Sequence, residues 1–249
     1  MDIIYAIWLR NIKRYLRSKS RIIGSIGMPL FLLLILGFGL NSVVSIPGLE
    51  QGYLGFIIPG IIAMTVLFTS IFSGIQIIWD KQFGFLKETL VAPVSRVEIM
   101  LGQTLGGATT AFIQGVIILV ISLFIGTNIF SVSGFIIAFI FMLLIGLCFT
   151  ALGIAIASKM EDMHGFQLIM NFIIFPIFGL SGAIFPLTSL PTWLKTITLL
   201  DPLTYGVEGI RYGILGTSNI SPLICFIVMS CFTIFMIALG AYLFKKIKL

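Results

Sequence analysis

One serine sits in a sequence context suited to nucleophilic chemistry. Gly179–Gly182 reads GLSG, the pattern around the catalytic serine of some intramembrane proteases, and such a serine needs a histidine beside it. The single histidine, His164, begins the predicted helix that carries Ser181 near its other end. At 1.5 Å rise per residue the two lie about 25 Å apart. Because they cannot meet within one chain, the sequence argues against a protease.

Two further kinds of site have no matching motif in the sequence. A phosphate-binding loop of the form GxxxxGK[ST] does not occur, so the chain is not expected to bind and hydrolyse ATP itself. An HExxH zinc motif is also absent, and His164 has no second histidine with which to share a metal. We therefore expect no catalytic residue, no metal and no cofactor in this chain.

The most distinctive polar stretch is Trp79–Gln103, which lies between two long apolar runs. It alternates charged residues with large apolar ones as far as Pro93, a pattern typical of a short amphipathic helix. The charged residues are Asp80, Lys81, Lys87, Glu88, Arg96 and Glu98, and the apolar ones are Phe83, Phe85, Leu86, Leu90 and Val91. We predict that residues 80–98 form a loop. We hypothesise that this segment is the contact through which a partner outside the membrane drives the rest of the protein.

The elements around this segment are membrane spans. The chain has 249 residues, of which 59% are hydrophobic and 10% charged, and each apolar run of 18 or more residues is long enough to cross a bilayer. We predict an all-α membrane protein with six transmembrane helices, at 22–43, 53–78, 99–125, 134–157, 165–185 and 222–244. The net charge of +6 reflects basic residues beside spans rather than nucleic-acid binding.

The first 21 residues predict an amphipathic helix in the plane of the membrane interface. Five basic residues fall on one helical face, and Ile4, Trp8, Ile12, Tyr15 and Leu16 fall on the other. Thirteen Lys and Arg residues lie on the side of this segment and two on the opposite side, which predicts cytoplasmic termini and a cytoplasmic 80–98 loop.

The spans themselves contain few groups suited to ion transport. No Asp, Glu, Lys or Arg lies deep in the predicted spans, which argues against coupling to an ion gradient. Their uncharged polar residues, and the GxxxG of Gly102 and Gly106, are mainly expected to be helix-packing contacts.

The stretch 186–218 is apolar but repeatedly broken by proline and glycine. Two short helices fit, at 191–200 and 203–215, and we expect them to be re-entrant helices that cap the outer end of the bundle. Trp193 and Tyr205 are residue types of the membrane interface. Glu208 and Arg211 stand three apart and could pair, either fixing the cap or forming part of an outer gate.

Together these residues resemble a known family. The loop FGFLKETLVAPVSR, Phe83–Arg96, resembles the cytoplasmic loop of ABC-2 type permeases, most closely the daunorubicin-resistance type. The outer stretch is similar to the signature region of that family in Phe185, Pro186, Leu190, Pro191, Trp193, Pro202, Leu203, Tyr205, Glu208 and Arg211.

The resemblance implies a single ABC-2 type transmembrane domain over 1–249, acting as the membrane subunit of an ATP-driven exporter in the cell membrane. Two permease copies, expected to be a homodimer, would pair with two copies of a separate ATP-binding subunit that holds ATP and magnesium. The residues it assigns to coupling with that subunit are Phe83, Gly84, Phe85, Leu86, Lys87, Glu88, Pro93 and Arg96.

The resemblance also implies a substrate path at the dimer interface and a closed outer end. The path would be lined mainly by the second and fifth spans, at Thr69, Ser73, Gln76, Asn171 and Phe175. The cap would use Pro186, Trp193, Pro202, Tyr205, Glu208 and Arg211. The uncharged, aromatic walls favour an amphipathic drug-like or lipid-like substrate. Export of a polysaccharide or glycolipid, and an uncoupled channel or scaffold in the membrane, stay open as alternatives.

Overall fold

The computed structural model describes residues 2–41, 52–85, 94–125 and 131–247. Within these ranges the regular structure is helical and no strand occurs. Six helices are long and apolar enough to cross a membrane. The prediction of an all-α membrane protein with six spans is therefore confirmed.

The helices follow one another in the order of the predicted elements. The first span is α2 with its continuation as a π-helix, Leu33–Phe38, and a final helical turn, Gly39–Asn41. A 3₁₀ turn, Leu187–Ser189, precedes α8. The helices are α1 (Asp2–Arg17), α2 (Lys19–Leu32), α3 (Gly52–Phe72), α4 (Ile75–Gln82), α5 (Arg96–Ile125), α6 (Val132–Ala157), α7 (Met163–Leu180), α8 (Thr192–Leu200), α9 (Pro202–Leu215) and α10 (Pro222–Lys245).

Two of the spans end elsewhere than the hydropathy predicts. The second span continues as α4 to Gln82, so Asp80 belongs to a helix rather than to the loop at 80–98. The fifth span stops at Leu180 instead of residue 185, because Gly182 adopts a left-handed φ of +69° that turns the chain out of the helix.

Side chains cap the N-termini of several described helices. Ser131, Asp162 and Asp201 each accept a hydrogen bond from a backbone amide in the first turn of α6, α7 and α9. Pro202 is the first residue of α9, where its lack of an amide hydrogen costs nothing. α8 and α9 follow each other closely because Asp201 ends the first of these helices and caps the second, which begins at Pro202.

The second span lies at the centre of the bundle. Of its most apolar window 83% is buried, against 17% for the first span and 22% for both the fifth and the sixth. It packs on α5 and α6, while α9 fits against α6, α10 and α3. A strip around Phe68, Thr69, Phe72 and Ser73 stays partly accessible, as do Leu54, Ile75 and Trp79. The first, fifth and sixth spans present wide apolar faces to their surroundings.

A short break interrupts the second span between α3 and α4. Ser73 and Gly74 form a turn there, and the backbone of α6 approaches it closely. A β-carbon added to Gly74 would lie 2.5 Å from the carbonyl oxygen of Gly153. Glycine is therefore required at this contact. Because the turn interrupts the helix, the axis of α4 can differ in direction from that of α3.

Candidate functional site

The helices that flank the predicted coupling loop are held in place by specific contacts. Phe83 is 80% exposed, and Gly84 has a left-handed φ of +77° that ends α4. The guanidinium of Arg10 lies 4.3 Å from the ring centroid of Phe85. Arg96 opens α5 and donates to the carbonyl oxygens of Lys245 at 2.7 Å and Ile247 at 3.0 Å. Of the remaining coupling residues, Leu86, Lys87, Glu88 and Pro93 lie outside the described residues.

A buried polar cluster lies at the end of the second span, next to the described residues from which the loop starts. Asp80 is 5% exposed and its carboxylate accepts three hydrogen bonds: from Arg10 at 2.8 Å, from Gln76 at 2.8 Å and from Gln103 at 3.2 Å. The side-chain amide of Asn11 donates to Gln103 Oε1 at 2.7 Å. These five residues are called the Asp80 cluster below.

The Asp80 cluster joins three helices that are far apart in sequence. Arg10 and Asn11 belong to α1, Gln76 and Asp80 to α4, and Gln103 to α5. Hydrogen bonds to an ionised group are about twice as strong as neutral ones, so the carboxylate is a strong link between them. Both flanks of the loop, α4 and α5, are thereby tied to the N-terminal helix.

Sequence reasoning missed this cluster because it counted Asp80 among solvated loop residues. The signal available was the spacing of Gln76 and Asp80, which places both on one face of a helix. Their partners on α1 and α5 depend on tertiary packing and cannot be read from local pattern.

The N-terminal helix packs on α5 more closely than a helix lying only on a membrane would. A β-carbon at Gly102 would lie 2.9 Å from Cβ of Ile7, and one at Gly106 would lie 2.7 Å from Cβ of Asn11. The GxxxG is thus a packing contact, and its partner is α1. Gln114 donates to the hydroxyl of Tyr15 at 2.6 Å, which fixes the end of the helix.

The predicted faces of α1 need correction in part. The side that meets the protein is formed by Ile7, Asn11 and Tyr15, whereas Leu16 is 58% exposed, so its predicted place in the membrane interface stays a prediction. Arg10, predicted on the basic outer face, turns inward to Asp80. The reason is that Gly102, Gly106 and the amide of Gln103 on α5, together with the carboxylate of Asp80 on α4, provide partners for α1 that hydropathy alone does not register.

A cavity of about 330 Å³ lies above the Asp80 cluster, between the first and second spans. Its wall combines apolar side chains of α2 and α3 with Ser25, Thr65 and Thr69, and Gln114 of α5 and Tyr15 of α1 also line it. No charged side chain is among the described residues that surround it. The apolar wall residues include Met28, Met64, Phe68 and Phe72.

The five residues predicted to line a substrate path are found in different environments. Thr69 lines the cavity, and Phe175 of α7 meets Phe68 edge-on, with ring centroids 6.1 Å apart. Ser73 lies at the helix break and donates to Ser70 O at 2.6 Å. Gln76 is buried in the Asp80 cluster, and Asn171 is half-buried on α7. Their role in a substrate path stays a prediction.

The opposite end of the bundle holds the ion pair that the sequence predicted. Arg211 and Glu208 bond directly, and both are buried, at 2% and 0% exposure. Arg211 also donates to Gly182 O at 2.9 Å and lies 4.2 Å from the ring centroid of Phe56. The carboxylate of Glu208 accepts a hydrogen bond from the backbone amide of Asn219 at 2.5 Å. The pair thus ties α9 to the chain after α7, to the start of α3 and to the loop before α10.

The other predicted cap residues surround the two short helices. Pro186 precedes the 3₁₀ turn, and Trp193 on α8 is 66% exposed. Pro202 opens α9, and the hydroxyl of Tyr205 donates to Leu199 O at 2.8 Å. The short helices are therefore observed and joined, while their entry into the membrane stays a prediction.

The serine of the GLSG pattern has a local structural contact. The hydroxyl of Ser181 donates to Phe178 O at 2.7 Å and is fully buried, while His164 is exposed near the first residue of α7. The two residues stand at opposite ends of that helix, so they form no catalytic pair within the chain.

Comparison with known proteins agrees with this architecture of a polytopic helical permease. The chain matches the family model of the ABC-2 type transporter over residues 3–215, and it therefore belongs to the ABC-2 type transporter family. A protein named transport permease ycf38, from Cyanophora paradoxa, is 31% identical over 198 residues, covering 79% of this chain and 68% of the relative.

Two bacterial relatives are matched over more of their length. The inner membrane transport permease YadH of Escherichia coli K12 is 27% identical, with 92% of this chain and 89% of the relative covered. Nodulation protein J of Rhizobium meliloti is 27% identical, with 91% and 89% covered. The chain is thus a multi-pass membrane protein of a transport permease family. Membership of this family implies that it is a membrane subunit working with an ATP-binding partner.

Proposed function

We propose that this chain is the membrane subunit of an ATP-driven exporter, moving an amphipathic drug-like or lipid-like substrate outward with energy from a separate ATPase. In the functional unit two copies of the chain pair with two copies of the ATPase, on which ATP and magnesium are held. The chain sits in the cell membrane with both termini in the cytoplasm.

The observation that carries this proposal is the convergence of α1, α4 and α5 on Asp80. The coupling segment 83–96 leaves α4 three residues after Asp80 and returns at the start of α5. A displacement of this segment would move α4 and α5 together with α1, because the carboxylate bonds to residues on all three. An uncoupled channel or scaffold would give no functional reason for linking both flanks of the coupling segment to α1.

The helix break at Ser73–Gly74 supplies a place where this motion can be absorbed. When ATP brings two ATPase subunits together, the coupling segments bound to them would move with them. α4 would then tilt against α3 at the break, where Gly74 and Gly153 allow the backbones to touch. A ligand that binds the two arrangements unequally would be moved by the change.

The character of the cavity supports an amphipathic substrate. Its methionine and phenylalanine walls and its neutral lining suit an apolar molecule with a small polar group. A polysaccharide or glycolipid would need many free hydrogen-bonding side chains, whereas the hydroxyls of Ser25 and Thr65 in this lining already donate to the carbonyl oxygens of Ile22 and Ile61. The sugar-export alternative therefore has less support.

Co-purification with the ATP-binding ABC subunits of the same organism tests the proposal. The chain is expressed in nanodiscs as wild type and as Lys87→Ala with Glu88→Ala, and bound ATPase and ATP hydrolysis are measured. Lys195→Ala serves as the matched control, since Lys195 is exposed and predicted on the other side of the membrane. We expect the double variant to lose the ATPase and the control to keep it. Failure of the wild type to retain an ATPase with or without nucleotide would contradict the proposal.

A further inference from the structure

The cavity between the first and second spans is contained within a single chain. It has a volume of about 330 Å³, which is within the range of pockets that bind one drug-sized molecule. Gly24 and Met28 of α2 are exposed at its rim, so it opens sideways from the bundle. It lies beside the strip of the second span that other helices leave uncovered.

One polar group in this cavity has an unused acceptor. Gln114 is fully buried, and its amide donates to the hydroxyl of Tyr15 at 2.6 Å. Its carbonyl oxygen Oε1 has no hydrogen-bond partner among the described residues. Since buried acceptors are normally paired, a ligand whose donor reaches Oε1, which neighbouring side chains cover in this structure, would gain a hydrogen bond without displacing one.

The rest of the lining restricts the charge and shape of such a ligand. Thr65, also in the wall, is already satisfied, as its hydroxyl donates to Ile61 O at 2.8 Å. Met28, Met64, Phe68 and Phe72 offer soft, adaptable apolar contacts. A charged ligand would find no opposite charge in the lining, so burial would disfavour it.

We propose that each chain binds one neutral amphipathic molecule in this cavity, its hydroxyl or amide N–H donating to Oε1 of Gln114 and its apolar body lying between Met28, Phe68 and Phe72. That this molecule is the exported substrate rests on the proposed function. The substrate would then bind first in the cavity of one chain and afterwards enter the predicted path between the two copies. Phe68 joins the two places, because its ring also touches Phe175 on the exposed face of α7.

Two glycines of α2 give a matched pair of variants. Gly24 lines the cavity and Gly27, one turn away, does not. A β-carbon at either position meets open space, so Gly24→Trp and Gly27→Trp are both expected to fold. Only the first places an indole in the mouth of the cavity.

The binding test uses dodecanol carrying a diazirine as photoactivatable probe. Full-length chain in phosphatidylcholine nanodiscs is irradiated with the probe, and labelled peptides are identified by mass spectrometry. We expect saturable labelling around Met28, Phe68 and Phe72, lowered about tenfold by Gly24→Trp and unchanged by Gly27→Trp. Labelling spread evenly over the exposed apolar faces, or equal in both variants, would overturn the site.

The role of Gln114 is tested with the methyl ether of the same probe, which cannot donate. The wild type is expected to prefer the alcohol by about tenfold, the value of one hydrogen bond to a buried acceptor. Gln114→Leu should label equally with both probes. If the wild type fails to distinguish alcohol from ether, the proposed headgroup recognition is wrong.

Measuring ATPase association on the same samples separates this inference from the proposed function. Specific labelling without a bound ATPase would support the site and contradict the exporter. A bound ATPase without specific labelling would support the exporter and overturn the site.

Discussion

Both ends of the bundle contain a carboxylate paired with an arginine, and the two pairs are built in different ways. Asp80 meets Arg10 from another helix, and the surrounding bonds come from side chains of Gln76 and Gln103. Glu208 meets Arg211 three residues along the same helix, and the pair also bonds to backbone atoms of Gly182 and Asn219. The first is called the loop end and the second the cap end.

This difference indicates different tasks. A pair within one helix, bonded to the backbone of two other segments, keeps its neighbours in a single arrangement. A carboxylate held by long side chains of three helices can exchange partners, and Arg10 keeps 28% of its side chain exposed. We therefore expect the cap end to supply stability and the loop end to transmit motion.

The largest effect is expected from removing one partner at the cap end. Arg211→Met leaves the carboxylate of Glu208 buried without its cation, at a cost of about 3–5 kcal/mol. Unfolding can be followed with a thiol-reactive dye, since Cys148 and Cys225 are buried, in a Cys231→Ser background. The double variant Glu208→Gln with Arg211→Met should recover much of the loss. Lys159→Met, at an exposed position, is the control, and a single variant as stable as that control would contradict the assignment.

A second effect at the cap end depends on pH. Asp201 is 8% exposed, and burial raises the pKa of its carboxyl from 3.8 to about 7, a rise partly offset by the amide of Leu203. The folded state therefore holds the proton more tightly than the unfolded chain. The stability this confers is complete below about pH 4 and is lost as the pH rises through about 7.

Asp201→Asn removes this dependence while keeping an oxygen for the amide of Leu203. Relative to the variant, the wild type should lose about 2 kcal/mol of unfolding free energy between about pH 5 and about pH 8. The same dye assay at several pH values measures it. Parallel pH profiles for the two proteins would show that Asp201 is not the group responsible.

A smaller effect is expected where α1 meets α5. Gly106→Ala forces its new β-carbon against Asn11, and overpacking of this kind costs about 1–3 kcal/mol. The added methyl should loosen α1, which exposes its residues to protease while the spans stay folded. Gly27→Ala meets open space and is the control. Equal protease resistance of the two variants would mean that α1 is held by other contacts.

The outer short helices show what a sequence can supply. Their predicted ranges differ from the observed ones by one residue, because Pro191, Asp201 and Pro202 mark the ends of helices by local chemistry. The Glu208–Arg211 pair followed from spacing along a single helix. Such features depend on neighbours in sequence, which are visible without a fold.

The loop end shows what a sequence cannot supply. Asp80 is buried only because Arg10 and Gln103, 70 residues before it and 23 after it, come together around it. Local hydropathy places any aspartate at the end of a span in solvent. The cavity above it is equally invisible in the sequence, since it is the space left between packed helices.

Transport by the complex carrying Asp80→Asn tests the central claim most directly. In proteoliposomes with the partner ATPase, ATP-driven movement of the dodecanol probe is measured for the wild type, for Asp80→Asn and for Glu161→Gln, a variant at an exposed acidic position. We predict that Asp80→Asn still binds the ATPase and loses about nine-tenths of its transport. This tenfold loss corresponds to about 1.4 kcal/mol. Glu161→Gln is expected to transport like the wild type. Unchanged transport in Asp80→Asn would contradict a role for the Asp80 cluster in driving the spans.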